Sequence, residues 1–408
     1  MLSKEDNELL TEVGPGKPAG EWLRRYWHPV AISERGDAIR THWDYAKPMI
    51  FEGEPGTVGS IADRLGNFKG KPTPIKILGE ELVLFRDGSG KPGLIGRYCP
   101  HRNASFEFGR IEPNGISCCY HGWTFDLAGK CLAMPAEPAD SRFKDKVTHT
   151  AYPVREMGGL LWAYMGPLDA KGEPPVLPRY DVYAREDGVR AVENFGLWPA
   201  NYFQICENSV DQTHTAILHG GEGGERRDIW GTEIPKTTWE PIELGIKASA
   251  KRPGMNYNRA SYFILPTMNR LPQPWPGGKF RWPRFSALWR TPVDDTHTIV
   301  FSVCFTPEVD GKLPDLPPGL SFDITDQLLV HREQDYQAIA SQGRITARTT
   351  EKLATSDGGV ILLRKLAMDG IRAVQAGRDP QGVRRSGADE IIDLERIVED
   401  DLNRMLPA

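Results

Sequence analysis

The 408-residue chain has no uninterrupted apolar run approaching the roughly eighteen residues that a membrane-spanning helix needs. It also lacks an N-terminal apolar stretch; MLSKEDNELL is polar and acidic and reads as the start of a short helix. Cysteine is scarce. Six are present, none at the spacing of a disulfide framework, so a reducing cytoplasm is the expected compartment. There is no excess of basic charge: the formal net charge is −5 and the pI about 6.0, which excludes the footprint of a nucleic-acid binder. No internal repeat is evident. No G-x-G-x-x-G precedes a suitable acidic residue in a βαβ setting, so no dinucleotide site is expected. What the chain has in quantity is 42 Gly and 33 Pro, which point to a loop-rich and sheet-rich protein. Its length exceeds one typical core, so two domains are expected.

Along the chain, residues 15–30 read as a turn and a short amphipathic segment. Residues 74–87 (PIKILGEELVLFRD) read as two strands around a Gly turn, 93–98 as the lead into a loop, and 151–167 as a final hairpin. The Pro-rich stretch KGEPPVLPRYD, 171–181, is a reasonable linker. The expected domains are therefore 1–170 and 181–408. The second contains the strand-like runs SYFILP, FSALWR and HTIVFSVCF, then helical patterns at 322–342 and 349–376 and an acidic one at 388–404. Strands and helices without strict βαβ alternation give an α+β class. Residues 36–73 read as a surface insertion; the other reading is a flap over the substrate entrance or a neighbouring subunit.

The stretch CPHRNASFEFGRIEPNGISCCYHGW, residues 99–123, holds three cysteines and two histidines. Cys99-Pro100-His101 is C-x-H, and Cys118 with His121 is C-x-x-H. A Rieske [2Fe–2S] centre needs two thiolates on one iron and two neutral imidazoles on the other. Cys99 and Cys118 would take the first iron, His101 and His121 the second. Pro100 stiffens its loop, Gly122 permits close backbone approach, and Trp123 would roof the cluster. Two other readings fit less well. Structural zinc sites pair cysteines as C-x₂₋₄-C, and a Cys118–Cys119 disulfide would be strained. Cys119 is then a non-ligand, read as a small buried apolar residue.

Such a cluster only moves single electrons, so chemistry in the same chain needs a second centre. NYFQICENSVDQTHTAILH, residues 201–219, carries Asp211, His214 and His219 at near-helical spacing. The two histidines diverge on an ideal helix, and a break or widened turn would bring both to one metal. Two histidines and one carboxylate form the facial triad of non-haem Fe(II) oxygenases. Taken alone, these residues leave a buried hydrogen-bonded pair as the commoner explanation. Carboxylate candidates further on are Asp323, Asp326, Glu333, Asp335 and Asp357, the last also readable as a turn or cap residue.

CPHR, CCYHGW, TFDLAGKC and MPAEP resemble the Rieske domain of the Rieske non-haem iron oxygenases, above all the phthalate dioxygenase group, which includes aryl O-demethylases. Asn103 stands where relatives usually carry Gly, and Asn tolerates left-handed φ. Asn208, Asp211, His214 and His219 stand in the family register N-x₂-D-x₂-H-x₄-H. HREQDYQAIASQGRI, 331–345, resembles the helix that brings the carboxylate ligand, with Asp335 in its position. The resemblance covers roughly 15–35 and 74–375.

It implies an α+β chain with an N-terminal all-β Rieske domain and a C-terminal catalytic domain on a helix-grip-like antiparallel sheet. It implies a [2Fe–2S] cluster, a mononuclear Fe(II), and a homotrimer or dimer of trimers in which Asp211 couples the cluster of one subunit to the iron of the next. A flavin and iron–sulfur reductase would supply electrons from NAD(P)H, and O₂ would be consumed. The implied activity is that of a terminal oxygenase performing mono- or dioxygenation of an aromatic carboxylic acid. Oxidative O-demethylation of a methoxylated aromatic acid and a bare electron carrier are the alternatives, and a carrier would need only about 100–120 residues. A substrate carboxylate would want an arginine fork. Arg252, Arg259, Arg270, Arg281 and Arg284 fall in the pocket-forming region, each read first as a solvated surface charge.

Overall fold

A computed structural model describes residues 1–33, 39–41, 70–220, 233–252, 258–272, 282–318 and 327–394. In the first half, strands Thr73–Ile77 and Glu80–Arg86 form the expected hairpin. Leu78 and Gly79 turn it with φ of 49° and 79°, the double left-handed geometry that matches strand twist. A four-stranded sheet runs Ala151–Tyr152, Pro92–Gly96, Glu80–Arg86, Thr73–Ile77, and a second runs Arg110–Glu112, Gly115–Ser117, Thr124–Phe125, Cys131–Ala133. Val83, Phe85, Ile95, Phe106, Ile116 and Phe125 fill the space between them and bury Cys99 and Cys118. The expected final hairpin, Val154–Met157 with Leu160–Tyr164, joins Trp27–Ile32 in a third sheet.

The second half is built on an eight-stranded sheet. Its order is Lys236–Ile242, Gly245–Lys251, Asn258–Ile264, Met268–Pro272, Phe285–Asp294, His297–Pro307, Gly188–Trp198, Ile39–Thr41. Neighbours are antiparallel except the last pair, which is parallel. Three residues of the 36–73 segment thus extend the sheet edge, while 42–69, and with them the flap reading, lie outside the described residues.

The α-helices among the described residues are α1 (Lys4–Thr11), α2 (Pro18–Leu23), α3 (Asp181–Ala184), α4 (Tyr202–Val210), α5 (Gln327–Ala340) and α6 (Gly358–Gln375). None is long and apolar enough to cross a membrane. α6 buries Val360, Leu363, Ala367 and Ile371, a helical stripe. A Cβ on its Gly370 would meet the Trp22 indole nitrogen at 2.4 Å, so the glycine seats α2 against α6. Tyr202 donates to the Leu10 carbonyl and Asn201 to that of Thr11, both at 2.9 Å. The N-terminal helices, counted with the first half in the sequence reading, therefore pack on the second. Residues 388–394 do not form the expected acidic helix. Ile391–Ile392 instead pairs in parallel with Arg179–Tyr180, as β-branched side chains favour; 395–408 lie outside the described residues.

The sheet has two distinct faces. Along Phe285–Asp294, Phe285, Ala287, Trp289 and Val293 enter the main core, which includes Trp27–Ile32. Thr291 donates to the Pro29 carbonyl at 2.8 Å on that side. His28 is wholly buried there, with Nε2 2.8 Å from the Leu23 carbonyl, and burial pushes its pKa down to about 4. On the opposite face, Leu288 and Val300 pack with Ile205 of α4 and Tyr336 of α5. The second metal-site candidates gather near these two helices.

Candidate metal centres

The two cysteine loops share one backbone design. The Cys99 amide donates to the Ala104 carbonyl at 2.9 Å and that of Asn103 to the Cys99 carbonyl at 2.8 Å. In the second loop the Cys118 amide donates to Trp123 O at 2.8 Å and that of Gly122 to Cys118 O at 3.0 Å. The fifth residue of each loop is left-handed: Asn103 with φ 57° and Gly122 with φ 72°. Asn103 thus does the conformational work of a glycine. Cys99 and Cys118 are 1% and 2% exposed. Burial, with a further contribution from the adjacent Cys118 thiol, pushes the Cys99 thiol up to about 11. Two adjacent buried thiols are costly to ionise without a cation, so the pair suits an iron–sulfur cluster.

The His101 and His121 rings lie 4.6 Å apart, and Trp123 stacks on His101 at 4.5 Å and 6°. Trp123 is itself buried. Cys119 is exposed rather than buried, because the turn that aims Cys118 inward sends the next side chain outward. Tyr120 beside it is 57% exposed.

The second group forms where α4 ends. Asn201 caps the start of α4 by accepting from the Phe203 amide at 3.0 Å. Arg348 and Arg364 both engage Glu207 at 2.7 Å and lock the same helix at mid-length. α4 stops at Asp211, and a widened π turn follows over Thr215–His219. The widened turn between them brings the two imidazoles to 5.3 Å between centroids. Asp335 reaches them from α5: its Oδ1 lies 3.5 Å from His214 Nε2 and 3.3 Å from His219 Nε2. One donor atom from each of the three lies within 4.8 Å of the others. Asn208 donates to the same carboxylate oxygen at 3.3 Å.

The far side of each imidazole is also addressed. His219 Nδ1 lies 2.8 Å from Gln334 Oε1, which assigns the proton to Nδ1 and leaves Nε2 free to bind. His214 Nδ1 lies 3.5 Å from Asp211 Oδ2, too long for a full hydrogen bond. Burial works against charge on His214, yet Asp211 and Asp335 outweigh it and hold the imidazole above its ordinary value. Asp335 feels burial in the opposite sense, but His219 and His214 hold it below the usual carboxylate range. Two imidazoles and one carboxylate with donor atoms this close suit a divalent cation.

The other candidates fall elsewhere. Asp357 accepts from the Ala354 amide at 2.6 Å in the turn before α6. Asp323 and Asp326, and the side chain of Glu333, lie outside the described residues, as do the side chains of Arg259 and Arg281. Three arginines read as surface charges are buried instead. Arg252 donates to Thr215 Oγ1 at 2.5 Å inside the π turn, Arg270 pairs with Asp181 at 2.7 Å, and Arg284 donates to Cys304 Sγ at 2.9 Å. Each finds an acceptor within the fold. Sequence reasoning missed Gln334, whose only signal is its place beside Asp335, and it missed the buried Arg290.

Comparison with known proteins fits this geometry. Residues 61–153 match the family description "Rieske [2Fe-2S] domain". The chain is 34% identical to the 5,5'-dehydrodivanillate O-demethylase oxygenase subunit of Sphingobium sp., over 95% of this chain and 85% of that one. It is 34% identical to the phenoxybenzoate dioxygenase subunit alpha of Ectopseudomonas oleovorans, over 94% and 89%. Among solved structures, NdmA of Pseudomonas putida CBB5, a QL mutant with caffeine, superposes with a TM-score of 0.64 at 20% identity, covering 88% of this chain and 94% of that one, and supports the fold alone. The protein belongs to the Rieske non-haem iron oxygenases, as a terminal oxygenase subunit that carries a Rieske [2Fe–2S] cluster and a mononuclear non-haem iron.

Proposed function

We propose that Cys99, Cys118, His101 and His121 hold the cluster, that His214, His219 and Asp335 hold the mononuclear iron, and that the enzyme hydroxylates an aromatic carboxylic acid with O₂. The observation that carries this reading is the convergence of two imidazoles from one end of α4 with a carboxylate from α5. Bound there, the two groups supply single-electron transfer and O₂ activation.

The protein's own residues do the rest. Gln334 fixes the His219 tautomer, and Asp211 stands behind His214. Asn208 holds Asp335 and, at 3.5 Å, reaches His214 Nε2. Trp123 keeps water from one face of His101. Asp211 is 30% exposed, which leaves it open to a second partner. In the proposed homotrimer, or dimer of trimers, that partner is a cluster histidine of the neighbouring subunit.

The chain is read as two units, 1–170 and 181–408, working in the cytoplasm with a separate flavin and iron–sulfur reductase that draws on NAD(P)H. Similarity to phenoxybenzoate dioxygenase supports an aromatic acid substrate. Similarity to an O-demethylase supports loss of a methyl ether as the alternative outcome.

The test is purified protein with a flavin and iron–sulfur reductase, NADH and a panel of aromatic acids, read by iron analysis, O₂ uptake and product mass. Three irons per chain and an oxygenated or demethylated product are expected. Two irons and no O₂ uptake would leave an electron carrier.

A further inference from the structure

We propose that Arg290 anchors the carboxylate of the aromatic substrate, with Asn269 and Ser302 engaging a second, hydrogen-donating substituent on the ring. The proposal rests on the oxygenase reading above and adds how its pocket selects a substrate.

Leu288 marks the sheet face that looks toward α4 and α5. Directly opposite it stand Asn269 on one neighbouring strand and Ser302 on the other. Arg290 lies two residues along the same strand, opposite Val300. Opposed residues, and residues two apart, share a face of an antiparallel sheet. All three polar side chains therefore project to the side where Leu288 and Val300 pack with Ile205 and Tyr336. Tyr336 follows Asp335 in the chain, so this face adjoins the candidate iron ligands.

Arg290 differs from the buried arginines that are ion-paired. Arg270 is paired with Asp181 and Arg348 with Glu207, each at 2.7 Å. Arg290 is 4% exposed, yet the one hydrogen bond its guanidinium makes among the described residues goes to the Leu288 carbonyl at 3.0 Å. Its Nε is buried without a partner, as are Asn269 Oδ1 and Ser302 Oγ. Buried guanidinium groups and polar atoms are costly unless matched. Asp335 lies within electrostatic reach of Arg290, but its carboxylate accepts from Asn208 and belongs to the proposed iron ligand set. Three unmatched polar groups on one face, beside apolar Leu288 and Val300, describe a complementary ligand. It has a flat apolar body, an anionic end for the guanidinium fork, and a donor for the Asn269 oxygen.

The test uses isothermal titration of the holoenzyme with benzoate, 4-hydroxybenzoate, phthalate and 3-phenoxybenzoate, each beside its primary amide. At least one acid is expected to bind about 10- to 100-fold more tightly than its amide, the range of one charge-assisted pair. Arg290→Gln should remove that preference while the amide still binds and the cluster spectrum is kept. Because Arg290 is buried, Arg290→Lys provides an independent arm: the charge stays, the fork is lost, and acid affinity should fall several-fold with the amide unaffected. Asn269→Leu should erase any advantage of 4-hydroxybenzoate over benzoate. The proposal is overturned if no acid binds, if acids and amides bind alike, if the preference survives in Arg290→Gln, or if it is undiminished in Arg290→Lys. Turnover of an amide as readily as its acid would leave the oxygenase reading standing and remove only the anchor.

Discussion

Asp211 meets His214 twice: its Oδ2 lies 3.5 Å from the ring Nδ1, and its Oδ1 accepts the main-chain N–H of the same residue at 3.4 Å. The carboxylate both shapes the turn and backs the imidazole. Asp211→Asn should therefore retain both metals, because no proposed ligand is removed, but slow electron transfer between them. Single-turnover mixing of reduced, substrate-bound protein with O₂ reads this as slower cluster reoxidation. Reoxidation at the wild-type rate would remove Asp211 from the coupling role. Asp211→Ala should in addition weaken iron binding by about 10- to 100-fold, as loss of an outer-shell partner does.

His214→Ala, His219→Ala and Asp335→Ala should each lower iron from three to two per chain and leave the visible cluster spectrum in place. Gln334→Leu should keep iron stoichiometry at saturation but weaken affinity, again by about 10- to 100-fold. An Asp335→Ala protein with full mononuclear iron would transfer the ligand role to another carboxylate.

The twin loops make separate predictions. Cys118→Ser should abolish the cluster spectrum, whereas Cys119→Ser should leave it unchanged, since Cys119 faces solvent. His101→Cys should lower the cluster potential in a reductive titration, because an added thiolate stabilises the oxidised form. Asn103→Gly should be tolerated, while Asn103→Val should cost about 1–3 kcal/mol at a left-handed φ of 57° and release cluster more readily on heating. Equal cluster retention in both Asn103 variants would contradict the conformational account.

His28 sets an acid limit on stability. Its folded pKa is depressed from 6.5 to about 4 by burial, so the native state binds fewer protons than the unfolded one. Stability is fully present above about 6.5 and falls as pH drops toward 4, by about 3 kcal/mol in total. Denaturant titrations between pH 7 and pH 5 should show this slope in the wild type and a flatter one in His28→Gln. Parallel slopes would assign the acid sensitivity to other groups.

The legible parts of the molecule were those written in short spacings. The C-x-H and C-x-x-H loops lie within one 25-residue stretch. The mismatch of a five-residue step with a helical turn called for a break or widened turn between His214 and His219, and the π turn over Thr215–His219 supplies it. Asp335 was reachable only by resemblance, because nothing local distinguishes it from Asp323 or Asp326. Arg290, Asn269 and Ser302 share a face only through strand register, which the residues of any one strand do not specify. Exposure failed in both directions. Cys119 looked apolar and faces water, while Arg252, Arg270 and Arg284 looked solvated and are buried. Charge predicts burial poorly where a packed layer offers an acceptor.

His219 and Gln334 stand 115 positions apart, and the chain between them lays down six of the eight strands of the large sheet. On the proposed ligand set, an ion held by His214, His219 and Asp335 is a cross-link that closes this whole excursion. Closing a loop of that order removes about 4–5 kcal/mol of unfolded-chain entropy in the disulfide analogy. Iron would then act as a clasp on the large sheet. Chelation should lower the melting temperature of the sheet and helices, read by circular dichroism, while leaving the cluster chromophore at low temperature. An unchanged melting temperature would mean that the two ends of the excursion are already fastened by packing alone.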